Sequence, residues 1–186
     1  MSLTPSNMLA LGTKAPHFEL PDTVSGKVLS LADIKSDVAT VVMFICNHCP
    51  YVIHVNDEIV RTANDYLPKG VQFIAISSND VENYPVDSPE NMTAFAKDAG
   101  YAFPYLYDES QSVAKAYEAA CTPDFYVFDG DDLALVYRGR MDASSPGNGV
   151  ENNGADLRAA IQATIDGKAI AVEQVPSMGC NIKWKQ

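Results

Sequence analysis

The spacing of apolar positions changes partway along the chain, and the change marks where the elements lie. Residues 39–45, Ala-Thr-Val-Val-Met-Phe-Ile, carry no charge and are mostly β-branched or aromatic, which predicts a strand buried on both faces. After Pro50 the period becomes helical: Val52, Val55, Ile59, Ala63 and Tyr66 recur three or four apart and give a helix one apolar face. Pro68-Lys69-Gly70 end that helix. Residues 71–77 form a second near-continuous apolar run, so strand, helix and strand are expected to make a right-handed parallel crossover.

Weaker patterns flank this unit. Residues 4–16 hold Pro5, Gly12 and Pro16 with little periodicity and read as an arm over the body. Residues 17–20 and 27–31 alternate and are joined by Pro21-Asp22 and Ser25-Gly26, which predicts a β-hairpin. After a polar loop over 78–88, Ser88-Pro89 opens a helix that runs to about residue 99 and stops at Gly100. A short aromatic strand over 103–108 and a helix over 112–119 precede Cys121-Thr122-Pro123. Residues 124–129 and 133–138 then form a hairpin across Gly130-Asp131-Asp132. Residues 141–154 are a long loop, either mobile or functional. The last helix carries Leu157, Ile161 and Ile165 and ends at Gly167, leaving an irregular tail that holds Cys180. The reading is one α/β domain over 1–186, with its core at about 11–166 and a tail from 167 to 186.

Composition narrows the function. The chain has 186 residues and a net charge of −11, which argues against nucleic acid or an anionic membrane as the main partner. Lys183-Trp184-Lys185 is the one basic cluster of note and reads as a solvated tail. No stretch approaches the length of a membrane span. The first eleven residues have no positive region and too short an apolar run for a signal peptide, so a cytoplasmic protein is expected unless a leader has been removed. Four cysteines in a chain of this length do not make a disulfide scaffold.

The chemistry concentrates at Cys46-Asn47-His48-Cys49, where the buried strand hands over to the helix. A helix N-terminus offers unpaired N–H groups and partial positive charge, and both favour a thiolate. A second cysteine three positions away can resolve a mixed disulfide within the chain. The plainer alternatives are two ordinary buried cysteines or half of a zinc site. Cys46, Cys49, His48 and perhaps His54 also suit Cu(I) or zinc. A zinc site usually pairs two ligand motifs, however, and Cys121 and Cys180 are not paired in sequence, so no metal and no cofactor is expected.

Together the element order and these motifs resemble the thioredoxin-like superfamily, in its redoxin or peroxiredoxin-like branch, over about residues 11–166. The residues that carry the resemblance are Gly12 with Ala15-Pro16 and Phe18 ahead of the first core strand, Cys46 and Cys49, the stretch 103–117, and Thr122-Pro123 followed by Phe125-Tyr126-Val127-Phe128. The ending Gly179-Cys180-Asn181-Ile182-Lys183-Trp184 is also similar to the tail of a bacterial group in this superfamily. The resemblance implies a thioredoxin-like fold with an N-terminal β-hairpin and the additional strand–helix unit of the redoxin branch. It implies a cis Thr122–Pro123 bond beside the redox pair, with backbone able to pair with an extended substrate. Departures are plain. Thioredoxins carry tryptophan where Ile45 stands and a buried aspartate where Thr40 stands, so the usual proton acceptor is missing. Neither Cys46 nor Cys49 follows the proline and hydroxyl residue that precede a peroxidatic cysteine.

The implied activity is thiol–disulfide exchange by Cys46 and Cys49, with His48, Thr122 and Pro123 in support. A peroxiredoxin-like, antioxidant thiol peroxidase is the alternative. Cys46 is the expected nucleophile and the more exposed thiol. A competing argument places Cys49 at the helix N-cap, because Pro50 fits best at the first helical position. His48 either favours the thiolate or faces solvent. Cys121, two residues before Pro123, and Cys180, on the tail, are candidates for a third redox thiol. The expected partners are a protein disulfide or hydroperoxide as substrate, and thioredoxin or glutathione as the reducing thiol.

Overall fold

The computed structural model describes residues 3–186. In chain order its strands and helices are β1 (Leu3–Pro5), β2 (Glu19–Pro21), β3 (Val28–Ser30), α1 (Leu31–Ile34), β4 (Ala39–Phe44), α2 (Pro50–Tyr66), β5 (Val71–Ser77), α3 (Pro89–Ala99), β6 (Tyr105–Tyr107), α4 (Ser112–Ala116), β7 (Cys121–Thr122), β8 (Asp124–Asp129), β9 (Leu135–Gly139), α5 (Ala155–Ile165) and β10 (Met178–Asn181). The main sheet has the order β6-β5-β4-β8-β9. β4 runs parallel to β5 and antiparallel to β8, so it is the central strand. All six of its residues are buried, as an uncharged run between two neighbours requires.

Alternation along β4 divides the core. Val41, Met43 and Ile45 pack with the apolar faces of α2, α3 and α5, including Val52, Ile59, Met92, Leu157 and Ile161. Val42 and Phe44 face the other side, where the hairpin, α1, and α4 with the residue that caps it supply Leu20, Leu31, Val113 and Tyr117. The helix ends follow the residues that cap them. Ser88 Oγ accepts from the Asn91 amide and Pro89 opens α3, while Gly100 closes it in the left-handed region. Helix α5 is tied to α2 by an ion-pair network, in which Arg158 reaches Glu58 and Asp65 at 2.6 and 2.7 Å.

Both chain ends depart from the sequence reading. The arm contains β1, and the tail contains β10, which pairs antiparallel with β1 on one side and β7 on the other. Neither strand has enough residues for a period to show. Lys183, expected in a solvated tail, is buried: its N–H donates to Asn79 Oδ1 and its carbonyl accepts from the Asp80 amide, both at 2.8 Å. The helix expected over 112–119 is shorter, ending at Ala116. The loop before α5 is held by Asp142, whose carboxylate accepts from the amides of Ser144, Asn153 and Gly154 at 2.7–2.9 Å. Among the described residues no helix is long and apolar enough to cross a membrane. The expectation about a leader rests partly on Met1 and Ser2, which lie outside the described residues.

Candidate active site

Cys49 is the N-cap of α2 and Pro50 is its first residue. Proline fits there because its missing N–H belongs to a position that has no intrahelical acceptor. Cys46 lies just beyond the end of β4, and the two cysteines bracket the turn from sheet to helix. Opposite them, the Thr122–Pro123 peptide is cis, as the resemblance implied. Thr122 touches both sulfurs: its Oγ1 is 3.5 Å from Cys46 Sγ, and its carbonyl oxygen is 3.3 Å from Cys49 Sγ.

A third sulfur completes the site. Strand β10 places Cys180 opposite Thr122, and Cys180 Sγ lies 2.8 Å from Cys49 Sγ. Cys121, one residue before Thr122, directs its thiol elsewhere, 3.9 Å from the Pro123 carbonyl and 4.0 Å from that of Ser177. No disulfide joins any of the four cysteines. The exposure expected of Cys46 is not found: Cys46 is 1% and Cys49 0% exposed.

Equal burial does not give equal ionisation. Cys49 is lowered to about 5, first by the thiol of Cys46 donating to it, then, against the cost of burial, by the Cys180 thiol and the backbone N–H groups of Val52 and Cys180. Cys46 is raised well above the usual thiol range, first by that same donation, then by burial and the nearby Asp87 carboxylate. Cys180 is pushed up to about 12 by burial and then by the hydrogen bond and charge of Cys49. Burial drives Cys121 up, with Asp124 adding to it. Of these three sulfurs, Cys49 is the one whose surroundings favour the thiolate, while Cys46 and Cys180 are held toward the thiol form.

Beside Cys46 lies a polar network that the sequence did not reveal. The fully buried Asp87 carboxylate accepts from the Asn47 amide at 2.8 Å and from Asn79 Nδ2 at 2.8 Å, and it sits 2.7 Å from His48 Nδ1. His48 stacks on Tyr84 with ring centroids 5.9 Å apart, so it is held in place rather than turned freely to solvent. Asn47 Oδ1 accepts from the Tyr105 hydroxyl at 3.0 Å. Asn79 joins this network to the tail through Lys183. Among the described residues, Cys46, His48 and Asp87 are the group whose ligand atoms lie close enough together, within 4.8 Å, to hold a metal ion. Of the ligand set weighed from sequence, His54 is placed differently, with Nε2 3.0 Å from Ser144 Oγ.

The proton-accepting position of thioredoxins is Thr40 here, and its hydroxyl accepts from the Ser36 amide at 3.0 Å. A carboxyl is nevertheless buried next to the cis bond. Asp124 is 0% exposed, raised to about 7 by burial, and accepts from Ser6 Oγ and the Tyr126 hydroxyl at 2.9 Å each. A cleft of about 210 Å³ is lined by Pro123 together with Tyr51, His54, Met141, Ser144 and Met178.

Comparison with known proteins places this arrangement. A model of the AhpC/TSA family matches residues 11–134. The chain belongs to the AhpC/TSA family. Its fold is thioredoxin-like, with the added strand and helix elements of the redoxin branch. An uncharacterized conserved protein from Geobacillus kaustophilus is 59% identical, with a TM-score of 0.97, over 100% of this chain and 97% of its own. A hypothetical protein from Sinorhizobium meliloti is 48% identical, with a TM-score of 0.95, over 98% of each chain. A secreted disulfide oxidoreductase of Mycobacterium tuberculosis shares the fold at 16% identity and a TM-score of 0.60, over 78% of this chain and 95% of its own. No curated protein matches the chain. Family and site together identify this AhpC/TSA protein as a thiol-based redox enzyme.

Proposed function

We propose that this AhpC/TSA protein is a thiol–disulfide oxidoreductase that cycles Cys46 and Cys49 between dithiol and disulfide. The observation that carries the reading is Cys49 at the N-cap of α2, with a thiol lowered to about 5, against the cis Thr122–Pro123 bond. A thiolate is the attacking form of cysteine, so Cys49 is the nucleophile and Cys46 its first partner. Cys49 attacks one sulfur of a substrate disulfide and expels the other as a thiolate. Cys46 then attacks the Cys49 sulfur, its proton passing to the second leaving thiolate. The substrate is reduced by two electrons and the pair is oxidised by two. A protein disulfide is the proposed substrate, and thioredoxin or glutathione the thiol that returns the pair to its reduced state.

Stabilising Cys49 as a thiolate favours the reduced pair, so the potential should lie above thioredoxin's value of about −270 mV. Equilibration of the protein in glutathione redox buffers, with the thiols counted at each poise, tests this. Reversible loss of one thiol pair at a less negative potential supports the reading. Failure of Cys49 to enter any intramolecular disulfide removes it.

One observation favours a second reading. Both thiols are sealed from solvent, and β10 already occupies the edge of β7 that precedes the cis bond. A small oxidant reaches such a site more readily than a folded protein does, which favours hydroperoxide as substrate and a sulfenic acid on Cys49. Stopped-flow mixing with hydrogen peroxide separates the two readings. Rapid, stoichiometric oxidation that vanishes in Cys49→Ser supports the peroxidase. Oxidation no faster than that of an ordinary thiol supports disulfide exchange alone.

A further inference from the structure

We propose that Cys180 is a third redox thiol that takes over the bridge from Cys46, so that the oxidised protein carries a Cys49–Cys180 disulfide joining β10 to the start of α2. The proposal rests on the reading of Cys49 as a disulfide-exchange nucleophile.

Three observations place Cys180 for this role. Its sulfur is already in contact with that of Cys49, 2.8 Å away. It is held there from both sides by backbone pairing, opposite Leu3 on β1 and Thr122 on β7. Gly179 makes the approach possible, because a Cβ at that position would lie 2.0 Å from the Thr122 carbonyl oxygen. The segment beyond Cys180 is fixed as well, since Ile182 N–H donates to the Ala120 carbonyl at 3.0 Å and Lys183 is tied to Asn79 and Asp80.

The surrounding charges bear on the attack by Cys180. The hydrogen bond and charge that raise Cys180, after burial, come from ionised Cys49. Both disappear once Cys49 is covalently engaged. Lys183, which favours ionised Cys180, remains. Cys46 keeps Asp87 beside it, and that carboxylate opposes an ionised Cys46. With Cys49 engaged, Cys180 is therefore easier to ionise for attack than it is in the reduced protein. Starting from Cys46–S–S–Cys49, the Cys180 sulfur attacks Cys49 Sγ. The Cys46–Cys49 bond breaks as the Cys49–Cys180 bond forms, and Cys46 leaves with the electron pair and takes the proton that Cys180 gave up. No net oxidation or reduction accompanies the transfer.

The test is disulfide mapping. Fully reduced protein is oxidised with stoichiometric oxidised glutathione, quenched in acid, alkylated, unfolded, digested and read by mass spectrometry. The expected result is a Cys49–Cys180 peptide pair with Cys46 alkylated in most chains. Finding only the Cys46–Cys49 bridge, with Cys180 alkylated, overturns the proposal and leaves the disulfide-exchange reading standing. Finding no intramolecular bridge at all overturns both. The Cys46→Ser protein gives an independent check. Its Cys49–glutathione mixed disulfide should be resolved by Cys180, releasing glutathione and closing the same bridge, whereas a mixed disulfide that persists on Cys49 overturns the proposal.

Discussion

The N-terminus of α2 and strand β7 each hold a fully buried cysteine, and the two surroundings treat the thiol in opposite ways. Cys49 and Cys121 are both 0% exposed. Among the described residues Cys121 points at carbonyl oxygens 3.9 and 4.0 Å away, and burial, with the Asp124 carboxyl adding to it, favours its protonated form. Cys49 has the Cys46 and Cys180 thiols and two backbone N–H groups beside it, and these favour its thiolate in spite of burial. Donors, rather than exposure, decide which sulfur ionises. The same contrast separates Cys49 from Cys46 three residues away, which is raised first by its hydrogen bond to Cys49, then by burial and the nearby Asp87 carboxylate.

The largest effect that would sharpen this contrast is on activity. Cys49→Ser should lower disulfide-exchange turnover by about a thousandfold or more, since it removes the nucleophile. Cys121→Ser should leave turnover within about twofold and instead cost roughly 1–3 kcal/mol in urea unfolding, from a buried hydroxyl that lacks a good partner. If Cys121→Ser abolishes turnover in a fully stable protein, the contrast between the two thiols is wrong.

A second prediction concerns stability against pH. Asp124 is raised to about 7 from the ordinary value of 3.8, so the unfolded chain loses this proton before the folded one does. Its contribution is complete below about pH 4 and is lost as pH rises through 7. Cys49 is lowered from 9.0 to about 5, so its contribution is complete above 9 and is lost as pH falls through 5. Asp124→Asn should therefore gain on the wild type between pH 4 and 8, by on the order of a few kcal/mol in denaturant titrations. Cys49→Ser should lose ground to the wild type as pH rises from 5 to 9. Parallel curves for the wild type and either variant would show that the group concerned is not shifted by the fold.

A smaller effect is expected at β10. Gly179→Ala puts a Cβ against the Thr122 carbonyl and should cost about 1–3 kcal/mol of stability as the strand is pushed from β7. Urea unfolding measures it, and an unchanged midpoint would show that the close approach of β10 to Cys49 is not tightly enforced.

Much of this was legible in the sequence because periodicity and local punctuation carry it. Strand β4, the apolar face of α2 and the Ser88-Pro89 start of α3 all rest on neighbouring residues, whereas the cis Thr122–Pro123 bond was implied by the family resemblance alone. Pro50 even pointed to Cys49 as the N-cap, though the resemblance gave preference to Cys46. What stayed hidden depends on contacts between distant parts of the chain. β1 and β10 are too short to show a period and exist because each pairs with the other and with β7. Asp87 lies in a stretch that reads as a polar loop, yet it is buried because Asn47, Asn79 and His48 satisfy it from elsewhere in the chain. Lys183 looked solvated for the same reason, since its partners Asn79 and Asp80 are about a hundred residues away.

Titration of thiolate ultraviolet absorbance in the reduced wild type, Cys46→Ser, Cys49→Ser and Cys121→Ser proteins tests the assignment of charge to Cys49 most directly. One thiolate should appear in the wild type with a midpoint near pH 5. It should vanish in Cys49→Ser, persist at a higher midpoint in Cys46→Ser, and be untouched in Cys121→Ser. A wild-type protein with no thiolate below pH 8, or an acidic thiolate that disappears in Cys46→Ser and survives in Cys49→Ser, would contradict it.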